Sequence, residues 1–321
     1  MKLFHSLLYP LLGGLFCLSC SDDEQDSGTK QPTTAGEVTF GVDLTGFSTR
    51  VTQDGSSWND GDKIGTYVLD MKTLEPVTEA ANVPYVCSEE GASVSFTSTT
   101  PLKVQNDGTP VKFVAYYPYN ADVRNFNYPV QLAAQERGST ACDLLYAATK
   151  EEYTYSPENE PHISLNFTHR LAKVILKFVN MEKEPLEVSD VRIEGMQTAA
   201  SFNIQTDVLT VDESSVATIN PYHNATTGFY EAIILPSAFT DSYKVSFVLD
   251  DREKEWIFTN LDIALPQFHK GYSYTFALYI DDSGFVEMGR LENVEGGNSS
   301  APWEDGSSED GTAEGDKTPV S

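Results

Sequence analysis

From Glu37 onward, no stretch of the 321-residue chain sustains a 3.6-residue apolar repeat. Short β-type runs recur instead, each closed by turn residues, which excludes a helical bundle and an alternating α/β fold. The runs include Val38–Val42, Lys63–Leu69, Val111–Tyr117, Ala172–Phe178, Phe229–Leu235, Tyr243–Leu249, Glu255–Phe258 and Tyr272–Ile280. In Ala172–Phe178, Val174, Leu176 and Phe178 share one face, while Lys173, Ile175 and Lys177 share the other. That alternation suits a sheet with one buried and one wetter face. Asp54-Gly55, Asp60-Gly61, Asn106-Asp107-Gly108 and Lys270-Gly271 punctuate the runs. The pattern predicts an all-β fold built from β-sandwiches. A short helix over Val130–Arg137 is the one exception it admits.

A polar interruption at 180–187 divides the body into two predicted β-sandwich domains, residues 37–180 and 181–303. Residues 304–321 hold six acids and one lysine with almost no apolar side chains, the composition of a disordered acidic tail. The amino end is of another kind. Lys2 precedes an apolar run, Leu3–Leu18, broken by Pro10, Gly13 and Gly14, so residues 1–19 read as a secretory signal. Ser19-Cys20 resembles a bacterial lipobox, with Cys17 where leucine is usual, and makes Cys20 the expected lipidated residue. The acidic cluster Ser21-Asp22-Asp23-Glu24 resembles the surface-export signal of Bacteroidetes lipoproteins, and residues 20–36 form the expected flexible tether. The lipid would hold the chain on the cell outer membrane, exposed at the surface.

Charge narrows the partners. Lys+Arg is 21 against Asp+Glu 48, a net charge of -27. Nucleic acid is excluded as a general partner, because a phosphate backbone needs a basic footprint. Once Cys17 and Cys20 are set aside, Cys87 and Cys142 remain, and in an oxidising compartment two such thiols either pair or stay free and buried.

Signatures of catalysis are missing. There is no Gly-rich phosphate loop, no Gly-x-Ser-x-Gly elbow and no His-Glu-x-x-His pair. None of the five histidines stands at metal-ligand spacing with another histidine or a cysteine. His169-Arg170, beside a strand, reads as a packing or hydrogen-bonding pair. Trp58-Asn59-Asp60-Gly61-Asp62 reads as a turn rather than a calcium loop, lacking the spacing and terminal glutamate of an EF-hand. Tyr116-Tyr117-Pro118-Tyr119 is the densest aromatic cluster, and exposed aromatics of that kind would suit a glycan or a host protein. No cofactor and no enzymatic activity are expected.

Several blocks, in order, resemble the fimbrillin family of Bacteroidetes surface lipoproteins, in its minor-fimbrium-like branch. They are Phe47-Ser48-Thr49-Arg50, Trp58-Asn59-Asp60-Gly61-Asp62-Lys63-Ile64-Gly65, Phe113–Tyr119, Asp143-Leu144-Leu145-Tyr146-Ala147 and Leu165–Val174. Ile234-Leu235-Pro236, Lys270–Tyr274 and Pro302-Trp303 look like landmarks of a second domain. The resemblance implies two tandem transthyretin-like β-sandwich domains. It also implies a subunit of an adhesive fimbrium (shaft, tip, accessory or anchor) with other fimbrial subunits as head-to-tail partners. An arginine-directed protease would cut after Arg50 and leave Val51 as the new amino terminus. Val38, Phe40 and Val42 would leave with the displaced first strand, and a neighbour's strand would refill the groove by donor-strand exchange. Residues 304–321 are too acidic and glycine-rich to serve as that donor; residues 284–294 present Val286, Met288 and Val294 on one face, with Arg290 and Glu292 at the same parity.

Overall fold

The computed structural model describes residues 35–43, 57–78, 81–91, 93–135, 142–158, 160–181, 186–249, 252–257, 267–280, 286–291 and 304–305. The signal, Cys20, most of the tether, Arg50, Val51 and the tail beyond 305 lie outside them. In chain order the first strands are β1 (Ala35–Glu37), β2 (Thr39–Asp43), β3 (Lys63–Asp70), β4 (Val83–Cys87), β5 (Ser93–Thr97), β6 (Lys103–Gln105), β7 (Val111–Tyr117), β8 (Asn127–Gln131), β9 (Leu145–Ala148), β10 (His162–Leu165) and β11 (Thr168–His169). There follow β12 (Ala172–Asn180), β13 (Val188–Glu194), β14 (Ala199–Asn203), β15 (Val208–Val211), β16 (Tyr222–Asn224), β17 (Phe229–Ile234), β18 (Ser237–Ala238), β19 (Lys244–Leu249), β20 (Arg252–Ile257), β21 (Gln267–Phe268), β22 (Tyr272–Ile280), β23 (Val286–Leu291) and β24 (Glu304–Asp305). The described residues form no α-helix.

An eight-stranded sheet in the order β10-β2-β5-β4-β3-β7-β9-β11 dominates the first half. A second sheet runs β16-β17-β12-β22-β23, with β24 also against β22, and a three-stranded sheet β13-β19-β20 accompanies it. β12 pairs antiparallel with β17 and parallel with β22, so the Ala172–Asn180 run is built into the sheet of the later strands. Three apolar cores result. The first holds Phe40, Trp58, Ile64, Tyr85, Phe96 and Phe113, and the second holds Val174, Leu176, Phe247, Tyr274 and Phe276.

The third core lies on the opposite faces of the two main sheets. Along β3, Ile64 and Val68 face the first core, whereas Tyr67 and Leu69 face the third. Along β17, Ala232 and Ile234 face the second core, whereas Ile233 faces the third. Strands buried on both faces read as near-continuous apolar runs, which is why Val111–Tyr117 shows so little alternation. A small sheet, β15-β14-β8, contributes Val130, Ala200 and Phe202 to this shared core. Its β8–β14 pairing sets Asn127–Gln131 against Ala199–Asn203. The expected helix over Val130–Arg137 is therefore not formed at its start: Val130 and Gln131 end a strand, fixed by a partner about 70 residues away that local periodicity cannot reveal. Gln135 reinforces the junction. Its amide nitrogen donates to the carbonyls of Leu132 and Ile233 at 2.8 and 2.7 Å, and its amide oxygen accepts from the Ile233 N–H at 2.8 Å.

Candidate functional site

The first strand is the element the sequence singles out, and its alternation places it. Gly36, Val38, Phe40 and Val42 point inward and Glu37 and Thr39 point outward. Val38 and Phe40 are 0% exposed and Val42 is 2% exposed, the burial of central core residues rather than of a loose leader. Phe40 meets the Tyr85 ring edge-on at 4.8 Å and the Phe113 ring at 5.9 Å.

The second part of this segment, β2, occupies a lane inside the eight-stranded sheet, and its first part, β1, forms a separate two-stranded sheet. β1 pairs antiparallel with β6. β2 pairs antiparallel with β5 on one side and parallel with β10 on the other. The Val38 N–H donates to the Leu102 carbonyl and the Thr39 N–H to the Pro161 carbonyl, both at 2.9 Å. The Tyr85 hydroxyl donates to the Val38 carbonyl at 2.9 Å and accepts from the Leu102 N–H at 2.8 Å. Burial pushes that phenol up to about 12. Without residues 35–43, both neighbouring strands would face an empty sheet position.

Two glycines let the strand lie so close. A Cβ on Gly36 would fall inside the Tyr155 ring's contact distance and 2.8 Å from Pro161 Cγ. A Cβ on Gly41 would sit 2.6 Å from Nε2 of the exposed His162 ring, which would have to swing aside. His162 also bonds the strand itself, Nδ1 to Thr39 Oγ1 at 3.0 Å. Tyr85, Tyr155, Pro161 and His162 were not marked by the sequence patterns. An isolated glycine inside a strand pattern is the available signal, since it marks close approach by another group.

Downstream of Asp43, the described chain resumes at Ser57. Trp58 pairs with Gly91 and packs edge-on against Phe96, Tyr117 and Phe167 at 5.1–5.4 Å. It sits wholly within the first core rather than at its rim. Gly61, at φ 88°, makes the turn into β3, and Gly65 lies under Tyr116, whose Cζ a Cβ would meet at 2.5 Å. The span that contains Arg50 and Val51 is thus bounded by a buried strand on one side and a buried tryptophan on the other.

The remaining expected residues fall elsewhere. Cys87 and Cys142 are both free cysteines in the structure. Cys87 is buried in the first core, whereas Cys142 lies beside the third, so the two belong to different layers. Burial raises the pKa of both. His169 Nδ1 meets Asp143 Oδ1 at 2.8 Å, and Arg170 grips Asp207 through Nε and Nη2 at 2.5 and 3.0 Å while lying over the Tyr146 ring. Both act as joints between segments. Among the described residues, no group of His, Cys, Asp or Glu could hold a metal ion. A depression of about 630 Å³ opens beside β12 and β17, where His223 stacks on Tyr230 at 4.5 Å above Phe178 and Val188.

Two solved structures share the fold across nearly their whole length. One is a candidate cell adhesion protein from Bacteroides uniformis, with 23% identity, a TM-score of 0.64, and coverage of 81% of this chain and 97% of that one. The other is a candidate cell adhesion protein from Bacteroides ovatus, with 16% identity, a TM-score of 0.58, and coverage of 83% and 100%. No curated relative matches the sequence. The model of the fimbrillin-like family matches residues 49–303, a span that starts beside Arg50 and leaves the first strand ahead of it. This chain belongs to the fimbrillin-like family.

Proposed function

We propose that the chain is a lipidated subunit of a cell-surface fimbrium that assembles by donor-strand exchange and serves adhesion. The observation that carries this reading is the first strand's position. It fills an interior lane of the sheet, contributes three fully buried apolar side chains, and connects onward through the segment that holds Arg50. Burying side chains of this kind is worth roughly 1.5–3 kcal/mol each, against a net stability of only about 5–15 kcal/mol for a whole domain. A chain trimmed after Arg50 keeps Val51 onward and loses that contribution. An empty lane with two unpaired edges is then a strong acceptor for a strand from a neighbour. Repeated head-to-tail, such a contact is heterologous and generates an open fibre.

In this reading Cys20 carries the lipid and an arginine-directed protease acts at Arg50–Val51. Mass spectrometry of the surface-derived protein tests it: Val51 at the amino terminus is expected, and a terminus still at acylated Cys20 in assembled material overturns the processing step.

The His223–Tyr230 depression favours a second reading, a standalone surface protein that holds a glycan or host protein against an aromatic wall. It requires specific binding that Tyr230→Ala abolishes, by a chain that stays monomeric.

A further inference from the structure

We infer that the outer edge of β15 is a docking site for an extended segment of a partner protein, one that carries two cations followed by an apolar-x-apolar stretch and adds to the edge as an antiparallel strand.

The edge is open and unguarded. β15 ends the sheet β15-β14-β8, and among the described residues it pairs only with β14. Its sequence, Val208-Leu209-Thr210-Val211, holds no charge, proline or glycine. Sheet edges are usually blunted by charge, proline or a bulge. Other edges of this fold are: β8 carries Pro129, β20 carries Arg252, Glu253, Lys254 and Glu255, and β13 shifts register between Ser189 and Arg192. Val208 at 50% and Val216 at 56% are two of the three large apolar side chains that stand exposed among the described residues, and they flank this margin. Val216 rejoins the line of the sheet opposite Gln197.

The ladder fixes which groups face outward. The Ile204 N–H donates to the Phe126 carbonyl and the Leu132 N–H to the Thr198 carbonyl, both at 2.8 Å. Bonded and non-bonded positions alternate in an antiparallel ladder, so Ala200 and Phe202 also turn to β8, and Ala199, Ser201 and Asn203 turn to β15. The Asp212 N–H accordingly donates to the Ala199 carbonyl at 3.0 Å. By the register, Ser201 and Asn203 take the backbone groups of Thr210 and Val208, and Leu209 and Val211 present theirs to the outside. The side chains of Leu209 and Val211 lie half-buried against the third core. An added strand with apolar residues opposite these two pairs its backbone and covers that flank.

Charge sets the ends of the occupant. Asp207, ahead of the strand, is already held by Arg170. Asp212 and Glu213, behind it, are exposed, and their partners are neutral: Ser214 donates to Asp212, and Gln197 Nε2 to Glu213 at 3.4 Å. In antiparallel addition the residue before the first apolar position falls opposite Asp212 and the one before that opposite Glu213, where cations are favoured. A second copy is a poor occupant. Pairing through Leu209 and Val211 would set Asp207 opposite Glu213 and Val208 opposite Asp212, bringing acids together with no new cation.

The test titrates the uncut full-length chain with the peptide Arg-Lys-Val-Thr-Val-Thr, acetylated and amidated to remove its terminal charges, read by calorimetry and amide exchange. Saturable binding that slows exchange at Leu209 and Val211 is expected. Methylating both valine nitrogens of the peptide keeps its charge and side chains but removes the bonding N–H groups, and should weaken binding by about tenfold or more. Asp212→Asn with Glu213→Lys, both at exposed side chains, should cost a similar factor and transfer the preference to Glu-Glu-Val-Thr-Val-Thr. Binding that the methylated peptide matches, or that the double variant leaves unchanged, overturns the inference. So does an absence of binding by the parent chain and peptide at millimolar concentration. No outcome depends on cutting at Arg50, so the exchange reading stands or falls separately.

Discussion

Tyr85 ties the first strand to the sheet through one hydroxyl, which bridges the Val38 carbonyl and the Leu102 N–H. Tyr85→Phe leaves both backbone groups buried without that partner and should cost about 1–3 kcal/mol. Urea unfolding measures it, and an unchanged midpoint would contradict the bridge. Phenols give the fold an alkaline limit as well. Burial pushes Tyr67, Tyr85, Tyr128 and Tyr146 each up to about 12 from 10.0. The folded chain then keeps protons that the unfolded chain releases, so this stabilisation is complete below pH 10 and is lost as pH rises toward about 12. The urea midpoint should fall across that interval in step with phenolate absorbance; a flat midpoint would contradict the burial. Gly65 is the other sensitive residue. Gly65→Ala drives a Cβ into the Tyr116 ring and should destabilise by roughly 1–3 kcal/mol, read from the same unfolding curves.

At the scale of elements, the third core joins strands from both halves, and Phe202 is its most buried aromatic from the later half. Phe202→Ala should cost about 3–5 kcal/mol. It should also raise amide exchange in β7 as well as β17, because both line the same layer; exchange confined to the later strands would contradict a shared core. Much of this architecture was legible in the sequence. Tyr272–Ile280 and Ala172–Phe178 declare strands by their own composition, and Pro118 marks the end of β7 at Tyr117. What stayed hidden is long-range partnership. β8 carries too little pattern to reveal that it pairs with β14, and nothing near Gly41 announces that His162 lies over it. Val38, Phe40 and Val42 could be read as an apolar face because alternation is local. The lane that receives them is made by residues about 55 to 125 positions further on, which periodicity does not see.

At the scale of the whole molecule, the first core of this fimbrillin-like chain is completed by a strand that precedes the family-matched region. The same arrangement makes the intact chain self-sufficient and the trimmed chain incomplete. Sedimentation of the purified protein before and after cutting at Arg50, with Arg50→Ala as the uncut control, tests this most directly. The account predicts a monomer before cutting, a ladder of head-to-tail oligomers after it, and a monomer throughout for Arg50→Ala. A cut chain that sheds residues 35–43, remains monomeric and unfolds at the same urea concentration as the intact chain would contradict it.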